Sequence, residues 1–115
     1  MDIAKIQEEI ENFAKERDWE QFHSPKNLAT ALMVEGAELL EHFQWLTQEQ
    51  STSLNQETIN AIAAEIADVQ IYLLHLAHKL AIDVEAAVVR KLKDNANKYP
   101  AKLVKGSSAK YTEYS

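Results

Sequence analysis

The sequence predicts an all-α protein in which residues 1–115 form a single domain, a four-helix bundle-like subunit. Only two glycines and two prolines occur among its 115 residues, so turns are few and the regular elements are long. Apolar residues make up 46% of the chain, which supplies one hydrophobic core but not two. Along most of the chain they recur at spacings of three and four, the period of an amphipathic helix.

The first two helices follow from apolar stripes and a start signal. From Ile3 to Phe13 apolar residues lie three and four apart among charged ones, which predicts a first helix that ends near Arg17. Ser24 followed by Pro25 is typical of a helix N-cap and first turn. A second helix is therefore predicted to run from Pro25 to about Leu46.

In the second half of the chain, polar residues mark where the helices begin and end. The polar segment 47–56 predicts a loop, and the apolar stripe of residues 59–80 predicts a third helix. Asp83 is placed to cap a fourth helix of residues 84–98, which a proline terminates. Residues 101–115 are predicted to form an extended C-terminal tail.

Two pairs of acidic residues interrupt the apolar stripes. Glu35 and Glu65 occupy positions where core residues belong, and Glu38 and Asp68 each follow three residues later. Residues three apart lie about 5–6 Å from one another on one helix face, so each pair presents two carboxylates to one point. Because an uncompensated buried carboxylate costs several kcal/mol, the four residues are predicted to bind a metal ion.

The chain has no cysteine, so carboxylates, imidazoles and water are the available ligands. Oxygen ligation favours Mg²⁺, with Mn²⁺ as a substitute, and Mg²⁺ commonly binds carboxylates together with substrate phosphates. A di-iron site is less favoured because the Glu-x-x-His motif is missing. The competing interpretation is that both acidic pairs are simply solvated. Glu41 is a further candidate, as an outer ligand or water-orienting base, or as an exposed residue.

The net charge of −6 is unevenly distributed. Residues 90–110 carry seven basic side chains and one acidic, whereas residues 1–89 carry five basic and 16 acidic. An acidic body argues against a nucleic-acid-binding protein, while the basic segment suits a small anionic ligand or a solvated helix face. With neither a basic leader followed by an apolar run nor an uninterrupted apolar segment of spanning length, a cytoplasmic protein without membrane contact is predicted.

Aromatic rings flank the second helix on both sides. Trp19, Phe22, His23 and Trp45 lie near its ends rather than along a periodic stripe, a placement that suits stacking on a nucleobase as well as a core role. The other histidines receive simpler interpretations. His75 and His78 are assigned to an interface or the surface, and His42 to an exposed position with its hydrogen bonds satisfied.

Together these features resemble the MazG-like all-α nucleotide pyrophosphohydrolases, within them the dCTP pyrophosphatase-like branch. The resemblance covers nearly the whole chain. It rests on Glu35-x-x-Glu38 with Glu65-x-x-Asp68, the segments 16–23 and 43–45, Lys91-x-x-x-Asn95, Tyr99-Pro100 and the segment 107–113.

The resemblance implies a homotetramer, a dimer of dimers, that hydrolyses nucleoside triphosphates to monophosphate and pyrophosphate in nucleotide-pool housecleaning. It implies magnesium ligands at Glu35, Glu38, Glu65 and Asp68. For the base our own hypothesis is Glu38 or Glu41, between which the sequence does not choose. It implies base and sugar contacts from Trp19, His23 and Trp45, phosphate contacts from Lys91, Asn95, Lys98 and Tyr99, and a tail with Lys110 and Tyr111 that closes over a neighbouring subunit's site.

The chain departs from the family pattern at two positions. Val34 and Ala37 replace glycines that usually precede the two glutamates, and a glycine occurs instead at Gly36. Two alternatives to the implied function remain open at this point. One is a helical dUTPase-like hydrolase, and the other is a non-enzymatic helical adaptor whose acidic faces bind a basic partner.

Overall fold

The computed structural model describes residues 1–106, and the all-α prediction is confirmed. Within that range there are five α-helices and no strands, with short 3₁₀ turns at Glu20–Phe22 and Gln50–Thr52. The predicted roles of Lys110 and Tyr111 lie outside the described residues. The helices are α1 (Ile3–Glu16), α2 (Pro25–Glu41), α3 (Gln56–Lys79), α4 (Val84–Lys98) and α5 (Ala101–Val104).

The described residues divide into two compact units, of which the first is Met1–Ile82 and the second begins at Asp83. In the first unit, α3 is the central element, because both α2 and α1 pack against it. In the second unit, α4 has the predicted bounds. Residues 101–104 form the single turn of α5 where an extended tail was predicted.

Side-chain caps begin the four long helices. The predicted caps Ser24 and Asp83 accept hydrogen bonds from the backbone N–H groups of Asn27 and Ala86 at 3.2 and 3.0 Å. Asp2 and Asn55 cap α1 and α3 in the same way. Each cap satisfies an otherwise unpaired donor and stabilises its helix by about 1 kcal/mol.

The second helix ends five residues earlier than predicted. After Glu41 the backbone tightens into turns, in which the Phe43 N–H donates to the Leu40 carbonyl at 2.8 Å and the Leu46 N–H to the Phe43 carbonyl at 2.9 Å. Although the Gln44 N–H still donates to the Leu40 carbonyl four residues back at 2.9 Å, the three-residue bonds on either side end the regular α-helical pattern. The apolar spacing of Phe43 and Leu46 continues the stripe, although the helix does not.

Two helices end in left-handed residues that are not glycine. Asp18 follows α1 with φ 54°, and Ala81 follows α3 with φ 55°. In each case the next N–H, of Trp19 or Ile82, donates back five residues at 2.9 Å, the Schellman pattern. This pattern reverses the chain direction after α1 and places Trp19 beside that helix.

Few side chains are fully buried in one copy of the chain. The buried apolar residues in the described part are Ala14, Leu28, Ile62, Leu74 and Ala77. Large apolar side chains on α2 and α3 remain exposed, among them Met33 (67%) and Leu40 (61%). Continuous exposed apolar surface commonly marks an interaction site.

By length and composition, α3 is able to cross a membrane. Core helices of soluble proteins can have the same length and composition. Glu65 and Asp68 lie within this helix, and ionised side chains are costly at the centre of a bilayer. The sequence interpretation expected no segment of spanning length, whereas α3 has that length and composition. The predicted absence of membrane contact therefore stays a prediction.

His75 lies in the core, whereas the sequence predicts an interface or surface position. Its side chain is 3% exposed, and its ring packs edge to face on that of His23, with centroids 4.9 Å apart. Neither His75 Nε2 nor His23 Nδ1, both buried, has a hydrogen-bond partner. The contact joins the turn before α2 to the C-terminal part of α3.

We expect His75 to make the fold sensitive to acid. Burial, and then the nearby charges of His23, Lys79 and His78, lower its pKa, against an opposing contribution from Glu11. The unfolded chain takes up this proton near pH 6.5, whereas the folded chain takes it up only at lower pH, so acidification through this range favours unfolding.

Urea unfolding of wild type and His75→Leu at pH 7.5 and 5.5 measures the effect. The variant should lose less free energy of unfolding between the two pH values than wild type does. Equal losses would show that other groups cause the sensitivity to acid.

Candidate metal site

Three of the predicted metal ligands meet between α2 and α3. Glu35 and Glu38 on α2 and Glu65 on α3 each offer a carboxylate oxygen, and these oxygens lie within 4.8 Å of one another. They come together because α2 packs along α3. We call Glu35, Glu38 and Glu65 the acidic cluster.

The surroundings of the cluster disfavour its negative charges. Burial, followed by the neighbouring carboxylate of Glu38, raises the pKa of Glu35 to about 7. Burial also raises the pKa of Glu65, again reinforced by Glu38. One buried oxygen of each residue, Glu35 Oε2 and Glu65 Oε2, has no hydrogen-bond partner. A divalent cation would satisfy these oxygens and cancel the repulsion, so the donor set fits a hard metal ion.

Asp68 lies one helical turn beyond Glu65 and is exposed. Its carboxylate is not one of the three grouped oxygens, but its charge raises the pKa values of Glu35 and Glu65. It therefore borders the acidic cluster. Glu41, the last residue of α2, is exposed and also stands outside the grouped oxygens.

His42 is a neighbour of the cluster that the sequence interpretation did not assign to the site. It is half-buried, and its Nε2 lies 4.0 Å from Glu65 Oε1. The signal was present in the sequence, since His42 is seven residues after Glu35 and four after Glu38. Positions with these separations share one helix face.

The two tryptophans have different environments. Trp19 is held edge to face against Phe13, with ring centroids 5.8 Å apart, while the Arg17 guanidinium covers the Phe13 ring at 3.6 Å. Trp45 is 86% exposed in the turn after α2. Trp45 therefore keeps a ring surface available for contact, whereas His23 is engaged with His75.

The predicted phosphate-binding residues belong to the second unit. Lys91, Asn95 and Lys98 lie four and three residues apart on α4, and Tyr99 is its C-cap. That spacing places the three α4 residues on one helix face. Two lysine side chains and one asparagine side chain therefore lie on the same face of α4.

Gly36, the glycine of α2, is not required there by close packing. A Cβ built on Gly36 would meet no atom of the described chain within 4 Å. The helix continues through it to Glu41. The departure from the family's glycine positions therefore leaves Glu35 and Glu38 on the same face.

The chain is similar to proteins of known family and known structure. Residues 30–114 match the MazG-like family. A crystal structure of a pyrophosphatase from Archaeoglobus fulgidus superimposes with a TM-score of 0.81 at 37% sequence identity, covering 87% of this chain and 94% of that one.

Two curated relatives are mammalian. Human dCTP pyrophosphatase 1 is 45% identical over 116 residues, and the mouse protein of that name is 42% identical over 114. Each alignment covers 97% of this chain. The chain spans 65% of the length of both relatives.

Proposed function

Because the chain belongs to the MazG-like family, we propose that it hydrolyses nucleoside triphosphates, dCTP-like deoxynucleotides foremost, to monophosphate and pyrophosphate. The observation that carries the proposal is the acidic cluster with its two unpartnered buried oxygens. The names of the relatives, dCTP pyrophosphatase 1 in mammals and a pyrophosphatase in Archaeoglobus fulgidus, support the same reaction.

Glu35, Glu38, Glu65 and Asp68 would hold Mg²⁺, or Mn²⁺ in its place. Such an ion supplies charge neutralisation for the triphosphate and lowers the pKa of a water molecule. The protein holds the carboxylates ready on two packed helices, so little reorganisation is needed when substrate binds.

In the proposed reaction, water attacks the α-phosphorus and the bond from that atom to the bridging oxygen of the β-phosphate breaks. Glu38 or Glu41 takes the proton from the attacking water, and pyrophosphate leaves with the bond's electron pair. Glu38 belongs to the cluster, whereas Glu41 is exposed at the helix end. The geometry therefore favours Glu38 as the base.

Aromatic, basic and tail residues have proposed roles in substrate binding. Trp19, His23 and Trp45 would contact the base and sugar, Lys91, Asn95, Lys98 and Tyr99 the phosphates, and Lys110 with Tyr111 the site of a neighbouring subunit. The exposed side chains of Trp45 and of the α4 lysines support these roles.

We also propose a cytoplasmic homotetramer, a dimer of dimers, that acts in nucleotide-pool housecleaning without nucleic-acid or membrane partners. The large apolar side chains left exposed on α2 and α3 support association with further copies. The acidic body of the chain disfavours nucleic acid.

A substrate panel tests the reaction. Purified protein is incubated with Mg²⁺ and each of dCTP, dUTP, dATP, dGTP and dTTP, and monophosphate, pyrophosphate and orthophosphate are quantified. We expect equal amounts of monophosphate and pyrophosphate, fastest with dCTP, and no reaction in excess EDTA. Turnover of dUTP alone would favour the dUTPase-like alternative, and no turnover of any nucleotide would favour the adaptor.

A further inference from the structure

His75 contacts a residue that the proposed function places at the substrate. Its ring lies edge to face on the His23 ring, with centroids 4.9 Å apart. His75 is buried, whereas His23 is half-buried and keeps part of its surface accessible. The pair therefore joins a core side chain to a proposed contact for the base and sugar.

The two histidines differ in how firmly their surroundings hold them. His75 lies on α3, where its neighbour Leu74 is also buried and accepts a hydrogen bond at its carbonyl from Gln7 Nε2 of α1 at 3.0 Å. His23 lies in the connection between α1 and α2. A side chain on a packed helix is fixed more precisely than one in a connecting segment, so His75 is the anchor of the pair.

Packing alone does not explain an imidazole at position 75. The buried nitrogens His75 Nε2 and His23 Nδ1 both lack a hydrogen-bond partner, and an unpaired buried polar atom lowers stability. A leucine would fill a similar volume without that cost. An imidazole supplies instead a flat ring, whose edge-to-face contact depends on the orientation of both rings.

We infer that His75 is a positioning residue, which holds the His23 ring in the orientation that contacts the base and sugar of a bound nucleotide. The inference rests on the proposed function, in which His23 makes that contact. His75 lies ten residues beyond Glu65, about 15 Å along α3, so it is remote from the acidic cluster. Its loss therefore weakens nucleotide binding and leaves the chemical step unchanged.

Steady-state kinetics of the full chain with Mg²⁺ and dCTP test the inference. In His75→Leu we expect KM to rise about fivefold, the effect of losing one edge-to-face contact, while kcat stays within about twofold. His75→Phe keeps a ring at this position, and its KM should stay near the wild-type value. Because KM does not depend on how much of the protein is folded, a partial folding defect does not imitate the effect. If His75→Leu does not fold at all, His75→Met removes the ring in its place.

His78→Leu is the matched control. His78 lies three residues further along α3, and its Nε2 pairs with Glu11 Oε2 of α1 at 2.9 Å. The variant therefore also removes a histidine that joins α3 to another part of the first unit. Both KM and kcat should stay at their wild-type values.

A double-mutant cycle shows whether His75 acts through His23. His23→Leu alone should raise KM, and adding His75→Leu to that variant should raise KM no further. The inference is overturned if His75→Leu raises KM equally with and without His23, or if either single variant keeps the wild-type KM. If wild type releases no pyrophosphate from any nucleotide, the proposed function is wrong and the inference fails with it.

Discussion

Replacing Glu38 with alanine is expected to lower Mg²⁺-dependent pyrophosphate release on the order of 10³-fold or more. Glu38 is the member of the acidic cluster that influences both of its neighbours, because its carboxylate raises the pKa values of Glu35 and Glu65. Its loss removes a metal ligand and the favoured base in one step. Asp68→Ala should have a comparable effect, since Asp68 borders the same oxygens.

Initial rates of pyrophosphate release with dCTP, measured over a range of Mg²⁺ concentrations, provide the test. Glu8→Ala removes an exposed carboxylate on α1 and serves as the control that keeps wild-type rates. Glu41→Ala should retain most activity if Glu38 is the base. Full activity in Glu38→Ala would contradict the assignment of the acidic cluster to catalysis.

Glu35→Gln is expected to make the metal-free protein more stable while it weakens Mg²⁺ binding. The wild-type carboxyl has a pKa of about 7 in the fold, whereas a glutamate in an unfolded chain titrates near 4.3. Over this range the folded state holds the proton more tightly than the unfolded state does. Deprotonation therefore favours unfolding, and the stabilising contribution of the neutral form is lost as the pH rises from about 4.3 to about 7.

Thermal melts of wild type and Glu35→Gln, with and without Mg²⁺ at pH 5 and pH 8, test this prediction. Without metal at pH 8 the variant should melt a few degrees above wild type, and at pH 5 the two should converge. Mg²⁺ should raise the melting temperature of wild type at pH 8 more than that of the variant. A variant less stable than wild type at pH 8 without metal would show that the Glu35 charge is compensated in the fold.

Such opposite effects on stability and function are typical of sites where like charges are held together for chemistry. In this chain the repulsion is built into helix packing. Because α2 packs against α3, their contact holds the carboxylates of Glu35 and Glu65 near each other, even though the Glu65 charge raises the pKa of Glu35 and the Glu38 charge raises the pKa values of both. Metal binding would then reduce the electrostatic repulsion between carboxylates that the fold already holds together.

Local chemistry explains the parts of the fold that could be predicted. Ser24 and Asp83 begin α2 and α4 because a short polar side chain reaches the backbone N–H three residues on. The end of α2 was harder to predict. The apolar period continues through Phe43 and Leu46, but the backbone leaves the α-helix after Glu41, and spacing alone does not report that change.

The environments of the histidines are the feature that the sequence predicted least well, for a physical reason. Imidazole is half apolar and half polar, so it suits a core, a surface or a ligand position equally. His75 was assigned to the surface or an interface but is 3% exposed against His23. His42 was assigned to an exposed position but lies 4.0 Å from Glu65.

The sequence by itself determined that the protein is helical and that each acidic pair shares a helix face, because an i,i+3 spacing is a property of one helix. The tertiary structure decided that Glu35, Glu38 and Glu65 converge while Asp68 and Glu41 stand outside the grouped oxygens. It also decided that an imidazole borders the cluster. These relations depend on how α2 lies on α3, which is set by packing between residues far apart in the chain rather than by spacing within either helix.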